Sequence, residues 1–248
     1  MKKYVIVTGA GSGIGKETAK MYASKKNLIF IADLDFEAAV ATANEINKKG
    51  SNSIPLKVDV SDEGSVKNMF KEIQRHTKRI DILINNVGIE ITGHLSKFTL
   101  NEYNKLFDIN VKSVFLCSQN ILPLMKNNGG SIVNLASVAS FKTWPGDGVY
   151  SATKAAVASI TKGFALYYIE YNIRVNAVAP AIVDTPMTDR AIKKRANIKA
   201  EKKKKGLIHP IKRIAKPSEI ANAIMFLASK KSSFTTGSIL LVDGGLLA

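Results

Sequence analysis

The chain has 248 residues, 46% of them hydrophobic and 23% charged, a balance that is ordinary for a globular protein and excludes the disordered class. No apolar run reaches the roughly 18 residues of a membrane span, and Met1-Lys2-Lys3 leads straight into a strand-like run rather than a signal peptide. We therefore expect one domain, over residues 1–248, with a cytoplasmic location and no membrane partner. The single Cys117 excludes an intramolecular disulfide.

The net charge of +16 raises the question of a nucleic-acid or other acidic partner. The lysines are spread over many segments, and the one concentration, from Lys193 to Lys205, has no interleaved aromatic residues and no recognised nucleic-acid motif. We interpret the charge as a solvated, lysine-rich surface and expect no nucleic-acid partner. The alternative is a basic nucleic-acid-binding protein.

Residues 4–8 are apolar and β-branched, the glycine turn from Gly9 to Gly15 follows, and residues 16–23 have a helical pattern. This order is typical of a diphosphate site, because N–H groups at the helix N-terminus attract an anion and a side chain would block its approach. The spacing Gly-x-x-x-Gly-x-Gly differs from the usual dinucleotide fingerprint. It favours a dinucleotide site over a plain tight turn.

A second strand, at 28–32, ends at Asp33, about 20 residues after the glycines. A carboxylate there can accept hydrogen bonds from an adenosine ribose and would repel a ribose 2′-phosphate. Asp33 therefore predicts NAD, with NADP less favoured, although Lys16 could partly offset the repulsion. The alternative is an acid that caps a helix or turn in Asp33-Leu34-Asp35.

Strands and helices continue to alternate along the chain. Further strands are predicted at 54–58, 82–84, 131–135, 175–178 and 239–242, and further helices at 36–49, from a cap at Ser61 or Asp62 to about 76, and at 101–125, 150–170 and 220–227. This alternation predicts an α/β fold, a doubly wound sheet of about seven parallel strands with helices on both faces. Ligands of such folds bind at the carboxyl ends of the strands.

Tyr150 and Lys154 are four residues apart, so on a helix their side chains lie on one face, one turn apart. A phenol titrates near pH ~10, too high for a base at neutrality, and a nearby ammonium is expected to lower that pKa. The pair is a candidate proton-transfer device. The hydroxyl of Ser137, just after a predicted strand, is expected to reach the same substrate oxygen. By itself Tyr-x-x-x-Lys is a weak signal.

The helix at 150–170 is apolar on almost every side, which indicates burial against more than the sheet. We therefore expect a homo-oligomer, either a homodimer or a homotetramer. The polar, lysine-rich segment from 187 to 212 has few apolar anchors, and we predict a mobile lid over a substrate pocket there. Thr185, just before it, could contact a nicotinamide carboxamide.

Together these motifs resemble the short-chain dehydrogenase/reductase family over residues 4–246. The resemblance depends on Thr8 with the glycine turn, Asp59-Val60, Asn85-Asn86-x-Gly88, Asn110, Ser137, Tyr150-x-x-x-Lys154 and Val242-Asp243-Gly244-Gly245. It implies a single Rossmann-type domain and an oxidoreductase that interconverts an alcohol and a carbonyl compound with a nicotinamide cofactor. Two departures are Val87, where alanine is usual, and Ala181, where glycine is usual after Pro180.

The resemblance also implies roles for individual residues. The implied catalytic residues are Asn110, Ser137, Tyr150 and Lys154. Tyr150 would be the acid and base, and Lys154 would lower its pKa and hold the nicotinamide ribose. Ser137 would position the substrate oxygen, and Asn110 would help to bind a relay water. The implied cofactor residues are Gly9, Ser12, Gly13, Ile14, Gly15, Asp33, Asp59, Val60, Asn86, Gly88, Tyr150, Lys154, Pro180, Val183 and Thr185. No metal site is expected.

The substrate is expected to be a small molecule. Ile89-Glu90 after Gly88, the segment at 180–186 and His209-Pro210 resemble the aldose 1-dehydrogenases of the family. Glu90 could hydrogen-bond sugar hydroxyls, together with Ser137 and Tyr150, or it could be a solvent-facing loop acid. The second hypothesis is a 3-oxoacyl-carrier reductase, whose acidic carrier would suit the positive charge. A third is a dinucleotide-binding protein without catalysis, which the intact Ser137, Tyr150 and Lys154 set opposes.

Overall fold

The computed structural model describes residues 2–192 and 197–248. Within these ranges the strands are β1 (Tyr4–Thr8), β2 (Leu28–Asp33), β3 (Asn52–Lys57), β4 (Ile82–Asn85), β5 (Gly130–Leu135), β6 (Ile173–Pro180) and β7 (Ile239–Val242). The helices are α1 (Gly13–Met21), α2 (Phe36–Asn47), α3 (Glu63–His76), α4 (Leu100–Phe107), α5 (Ser113–Met125), α6 (Gly148–Tyr168), α7 (Pro186–Ile192), α8 (Ile198–Gly206) and α9 (Pro217–Ala228). All strands pair in parallel in the order β3-β2-β1-β4-β5-β6-β7. The predicted fold class is confirmed.

The strands are apolar because the sheet is covered on both sides. Along β1, Ile6 faces a layer built with α3, α5 and α6, whereas Val5 and Val7 face a second layer built with α1, α2 and α9. All three side chains are fully buried. Full burial of one such side chain contributes about 1.5–3 kcal/mol, so both layers hold the sheet between them.

The helices begin where short acidic side chains can cap them. Asp35 accepts a hydrogen bond from the Ala38 N–H at the start of α2, and Asp62 accepts one from the Ser65 N–H at the start of α3. Such a cap satisfies an N–H group that has no partner inside the helix. Of the two caps considered from the sequence for α3, the structure therefore has Asp62.

One predicted helix differs in the structure. The sequence predicts a single helix over 101–125, but α4 and α5 are separated by a π-helical turn, Asp108–Lys112. Asn110 lies in that turn and is 1% exposed. Its amide group hydrogen-bonds to the segment after β4, so tertiary contacts favour the wider turn at this point. Turns of this kind are frequent at functional sites.

The segment predicted to be a mobile lid contains two helices, α7 and α8. Residues 193–196 of that segment lie outside the described residues. The helix α8 has an Asn197 cap, which accepts a hydrogen bond from the Ala200 N–H, and its residues are polar apart from Ile198 and Ala200. Its mobility stays a prediction. None of the helices in the described ranges has the length and apolarity that a bilayer crossing requires.

The strand order reverses between β1 and β4, because β2 and β3 lie on one side of β1 and the later strands on the other. At such a reversal the loops after the two strands diverge and leave a crevice, where doubly wound folds bind ligands. The glycine turn follows β1 and the Asn85-Asn86-Val87-Gly88 segment follows β4. The fold therefore places both segments at one crevice.

Candidate active site

The two segments at the crevice pack so tightly that they leave no room for a side chain at Gly15. A Cβ atom at Gly15 would lie 2.2 Å from the Gly9 carbonyl oxygen and 2.5 Å from Asn86 Nδ2. The same Nδ2 donates hydrogen bonds to the carbonyl oxygens of Thr8 and Gly9, at 3.0 and 3.1 Å. Asn86 thus fixes the path of the glycine turn, and Gly15 lets α1 begin directly beneath it.

Asp33 contributes to the same turn. Its Oδ2 accepts a hydrogen bond from the Gly11 N–H at 2.8 Å, and its Oδ1 accepts one from the Asp35 N–H at 3.0 Å. The carboxylate also lines the crevice, so the structural and cofactor-binding interpretations both apply to it. Lys16 forms an ion pair with Glu45 at 2.5 Å instead of offsetting the charge of Asp33.

The crevice opens into one cavity of about 600 Å³, within the usual range for small-molecule sites. Every predicted cofactor residue lines this cavity except Gly15, which lies beneath the glycine turn. Ser137, Glu90, Tyr150 and Lys154 line it as well. Asn110 does not, since it is buried behind the wall. Glu90 is also exposed to solvent, so both interpretations of this residue stay open. The structure thus brings together residues from six strand ends.

Lys154 places an ammonium in the interior of the protein. The residue is 5% exposed, and its Nζ donates a hydrogen bond to the Leu135 carbonyl oxygen, at the end of β5, at 2.9 Å. Burial lowers the pKa of this ammonium to about 8, and the charge of Glu90 partly opposes that shift. The Ser140 hydroxyl donates to the Lys154 carbonyl oxygen, which anchors the helix backbone beside β5.

The phenol of Tyr150 lies next to this ammonium, with Lys154 Nζ 5.9 Å from the ring centroid. Burial raises the pKa of Tyr150, and the negative charges of Glu90 and Asp147 raise it further, while a hydrogen bond with the Ser137 side chain lowers it. Burial of the phenol outweighs the hydrogen bond that lowers its pKa, and the expected lowering by Lys154 stays a prediction.

Ser137 is held where its hydroxyl can face the phenol. It caps the short 3-10 helix Val138–Ser140, so its Oγ accepts a hydrogen bond from the Ala139 N–H at 3.1 Å and donates to the Pro180 carbonyl oxygen at 3.5 Å. These contacts fix the side chain between the ends of β5 and β6. Ser137, Tyr150 and Lys154 converge in one place, as the sequence predicted.

Asn110 supports the loop that contains Glu90. Its Oδ1 accepts a hydrogen bond from the Ile89 N–H, and its Nδ2 donates to the Ile89 carbonyl oxygen and to Thr153 Oγ1 on α6. Both amide hydrogens are therefore used within the protein. The predicted role of Asn110 in binding a relay water stays a prediction, whereas its position behind the Glu90 loop is a structural fact.

The substrate end of the cavity contains residues that the sequence did not single out. Asp147 and Trp144, from the loop before α6, line it together with Arg190 from α7 and Lys205 from α8. No local motif marks these residues, because they meet only when two loops and two helices fold over the strand ends. The signal in the sequence was their position. Trp144 and Asp147 lie between Ser137 and Tyr150, and Arg190 and Lys205 lie in the segment from 187 to 212 that was predicted to be a lid.

The glycine turn and the adjacent crevice fit a dinucleotide. The backbone at Gly9 and Gly13 borders the cavity, where a diphosphate can approach the N-terminus of α1. Asp33 and Asp59 would hold the adenosine end, and Tyr150, Lys154 and Thr185 would hold the nicotinamide end. A cofactor bound in this way supplies or accepts the hydride.

Replacement of Gly15 by alanine tests whether the glycine turn forms the diphosphate site. The Gly15→Ala variant is expected to bind NADH at least about tenfold more weakly and to unfold at lower urea concentration, because the added Cβ would overlap the Gly9 carbonyl oxygen. The matched control is Gly163→Ala on α6, where a Cβ would meet no atom within 4 Å. Equal NADH affinity of the two variants, measured by fluorescence titration, would contradict the role of the turn.

Comparison with known proteins agrees with this geometry. A family model described as Enoyl-(Acyl carrier protein) reductase matches residues 9–247. A 3-oxoacyl-[acyl-carrier-protein] reductase from Thermotoga maritima is 35% identical over 246 residues, covering 99% of this chain and 98% of the relative. A cyclopentanol dehydrogenase from Comamonas testosteroni is 33% identical over 249 residues, covering 99% and 97%.

Two solved structures have the same fold. The ligand-free aldohexose dehydrogenase of Thermoplasma acidophilum has a TM-score of 0.88 and 32% identity, with 99% of this chain and 94% of that chain covered. A levodione reductase has a TM-score of 0.93 and 31% identity, with 98% and 96% covered. The chain therefore belongs to the short-chain dehydrogenase/reductase family, whose members are oxidoreductases that act on CH–OH groups with NAD(P).

Proposed function

We propose that the protein is an NAD-dependent aldose 1-dehydrogenase, which oxidises the hemiacetal carbon of a sugar to a lactone. The observation that supports this most strongly is Glu90, a carboxylate in the cavity whose charge acts on both Tyr150 and Lys154. A carboxylate beside the reacting groups can accept hydrogen bonds from neighbouring sugar hydroxyls. The structural similarity to an aldohexose dehydrogenase adds to this support.

Each residue of the site has a role in proton transfer. Ser137 donates a hydrogen bond that orients the reacting substrate oxygen next to the phenol. In the oxidation the phenolate form of Tyr150 accepts the proton of the substrate hydroxyl as the hydride leaves, and in the reverse reaction the phenol returns it. The Lys154 ammonium stabilises the negative charge that develops on the phenol oxygen during the transfer. Ser137 and Lys154 are buried, at 9% and 5% exposed, whereas Tyr150 is half-buried.

The preference for NAD follows from Asp33. The carboxylate lines the adenosine end of the crevice, and its two hydrogen bonds to backbone N–H groups hold it there. A 2′-phosphate on the adenosine ribose would meet this negative charge, while a free diol can donate hydrogen bonds to it. Since Lys16 pairs with Glu45, it does not neutralise Asp33.

The second candidate is a 3-oxoacyl-carrier reductase. It is favoured by the 35% identity to the Thermotoga maritima protein and by the net charge of +16, which would attract an acidic carrier protein. The carboxylates of Glu90 and Asp147 at the substrate end offer acceptors that a thioester chain does not need. For this reason the sugar substrate is preferred.

A substrate panel separates the two candidates. Aldoses, polyols, hydroxysteroids and acetoacyl thioesters are assayed with both NAD and NADP by the absorbance of the reduced nicotinamide. We expect turnover of aldoses, with a larger kcat/KM for NAD than for NADP. Activity confined to the thioesters, or a preference for NADP, would contradict the proposal.

We also propose that the protein is a homo-oligomer, a dimer or a tetramer. Phe115 on α5 is 44% exposed, and Leu166 and Tyr167 on α6 are 77% and 70% exposed. Apolar side chains exposed on adjacent helices are typical of an interface with another copy.

Light scattering during size-exclusion chromatography measures the assembly. We expect a mass of two or four chains for the wild type and a smaller assembly for Leu166→Glu, since a charge at the interface would be costly to bury. Lys48→Glu, at the exposed end of α2 on the other face of the sheet, is the control. A monomeric wild-type protein would contradict the proposal.

A further inference from the structure

The helix α8 is fixed to the segment before it by one lysine. Lys202 Nζ lies 2.6 Å from Oδ1 of Asp184 and 2.6 Å from Oδ1 of Asp189. Asp184 follows β6 and Asp189 belongs to α7, so the lysine joins α8 to two neighbouring elements. Partly exposed ion pairs add little to overall stability. Their effect here is geometric, because they set the position of α8 relative to Thr185.

A second lysine on α8 reaches the cavity. Lys205 follows Lys202 by three residues, and side chains at this spacing are neighbours on a helix surface. Lys205 lines the cavity, whereas Lys203 and Lys204 are exposed. Of the five lysines of α8, Lys205 alone lines the cavity.

Lys205 acts on two carboxylates that come from different loops. Desolvation raises the pKa of Glu90 and of Asp147, and the charge of Lys205 lowers both. The Gly93 N–H donates a hydrogen bond to the Gly146 carbonyl oxygen at 3.0 Å, which ties the two loops together. Glu90, Asp147 and Lys205 thus form one charged cluster on the wall of the cavity.

We propose that Lys205 is a specificity-determining residue that, together with Glu90 and Asp147, binds substrate hydroxyl groups remote from the reacting carbon. A carboxylate can only accept hydrogen bonds and an ammonium can only donate them, while a hydroxyl does both. The cluster therefore suits a neutral substrate with several hydroxyls. This inference depends on the proposed function, and it adds to it a residue from α8 that selects polyhydroxylated substrates over simple alcohols.

Steady-state kinetics of Lys205→Met test the inference, with Lys203→Met as the matched control on the same helix. The substrates are an aldohexose and cyclopentanol, a secondary alcohol that has no further hydroxyl. We expect Lys205→Met to raise the KM for the aldohexose by about tenfold or more, with kcat changed much less, because a charged hydrogen bond to substrate is lost. The kinetics with cyclopentanol are expected to stay within about twofold of wild type.

A binding measurement accompanies the kinetics. Trp144 is the only tryptophan in the chain, and it lines the cavity, so its fluorescence reports substrate binding in the presence of NADH. The aldohexose is expected to change this fluorescence. In Lys205→Met the half-saturating concentration of aldohexose is expected to rise by the same factor as the KM. NADH affinity is expected to be equal in Lys205→Met and Lys203→Met. Equal affinity would show that both variants are folded.

The outcomes distinguish failure of the proposed function from failure of the inference about Lys205. If the wild type neither turns over nor binds any polyhydroxylated substrate, the proposed function fails. If the wild type uses the aldohexose and Lys205→Met behaves like Lys203→Met, only the inference about Lys205 is overturned. An equal loss with cyclopentanol would also overturn it, because the residue would then act on the reacting groups and not on remote hydroxyls.

Discussion

The site depends on an ammonium that is kept inside the protein. A buried charge costs several kcal/mol unless hydrogen bonds and opposite charges compensate it. For Lys154 the compensation comes from the Leu135 carbonyl oxygen and from the field of Glu90, and the remaining cost appears as the lowered pKa. Three features maintain these contacts: the position of β5, the anchoring of α6 by Ser140, and the loop after β4. A small displacement of any of them would expose or isolate the charge.

The same buried, low-dielectric environment raises the pKa of Tyr150. Burial and two carboxylates favour the protonated phenol, while Ser137 opposes them by a hydrogen bond. Acid and base chemistry in one residue requires that both protonation states be accessible, and in the proposed mechanism the nearby ammonium is the group that favours the phenolate. The carboxylates that we propose to bind substrate hydroxyls therefore raise the pKa of the reacting tyrosine.

The sequence predicted those parts of the molecule that local patterns determine. The alternation of apolar strands with helices predicted the sheet, and the Tyr150-Lys154 spacing and Ser137 predicted the convergence at the end of β5. The π-helical turn at Asp108–Lys112 was not predictable, because it depends on contacts between Asn110 and a loop twenty-one residues away. The raised pKa of Tyr150 was missed because motif spacing gives no measure of burial. Asp147 and Lys205 were not identified as site residues from the sequence, because their proximity depends on how two loops and α8 pack together.

The central claim is that the Tyr150 phenol, held beside Lys154 and Ser137, is the proton-transfer group. Turnover and NADH affinity of Tyr150→Phe test it most directly, with Tyr167→Phe, an exposed tyrosine of the same helix, as the control. The account predicts that kcat of Tyr150→Phe falls by about 10²–10⁴-fold while NADH affinity changes by less than about threefold. Full turnover by Tyr150→Phe with normal NADH binding would contradict it.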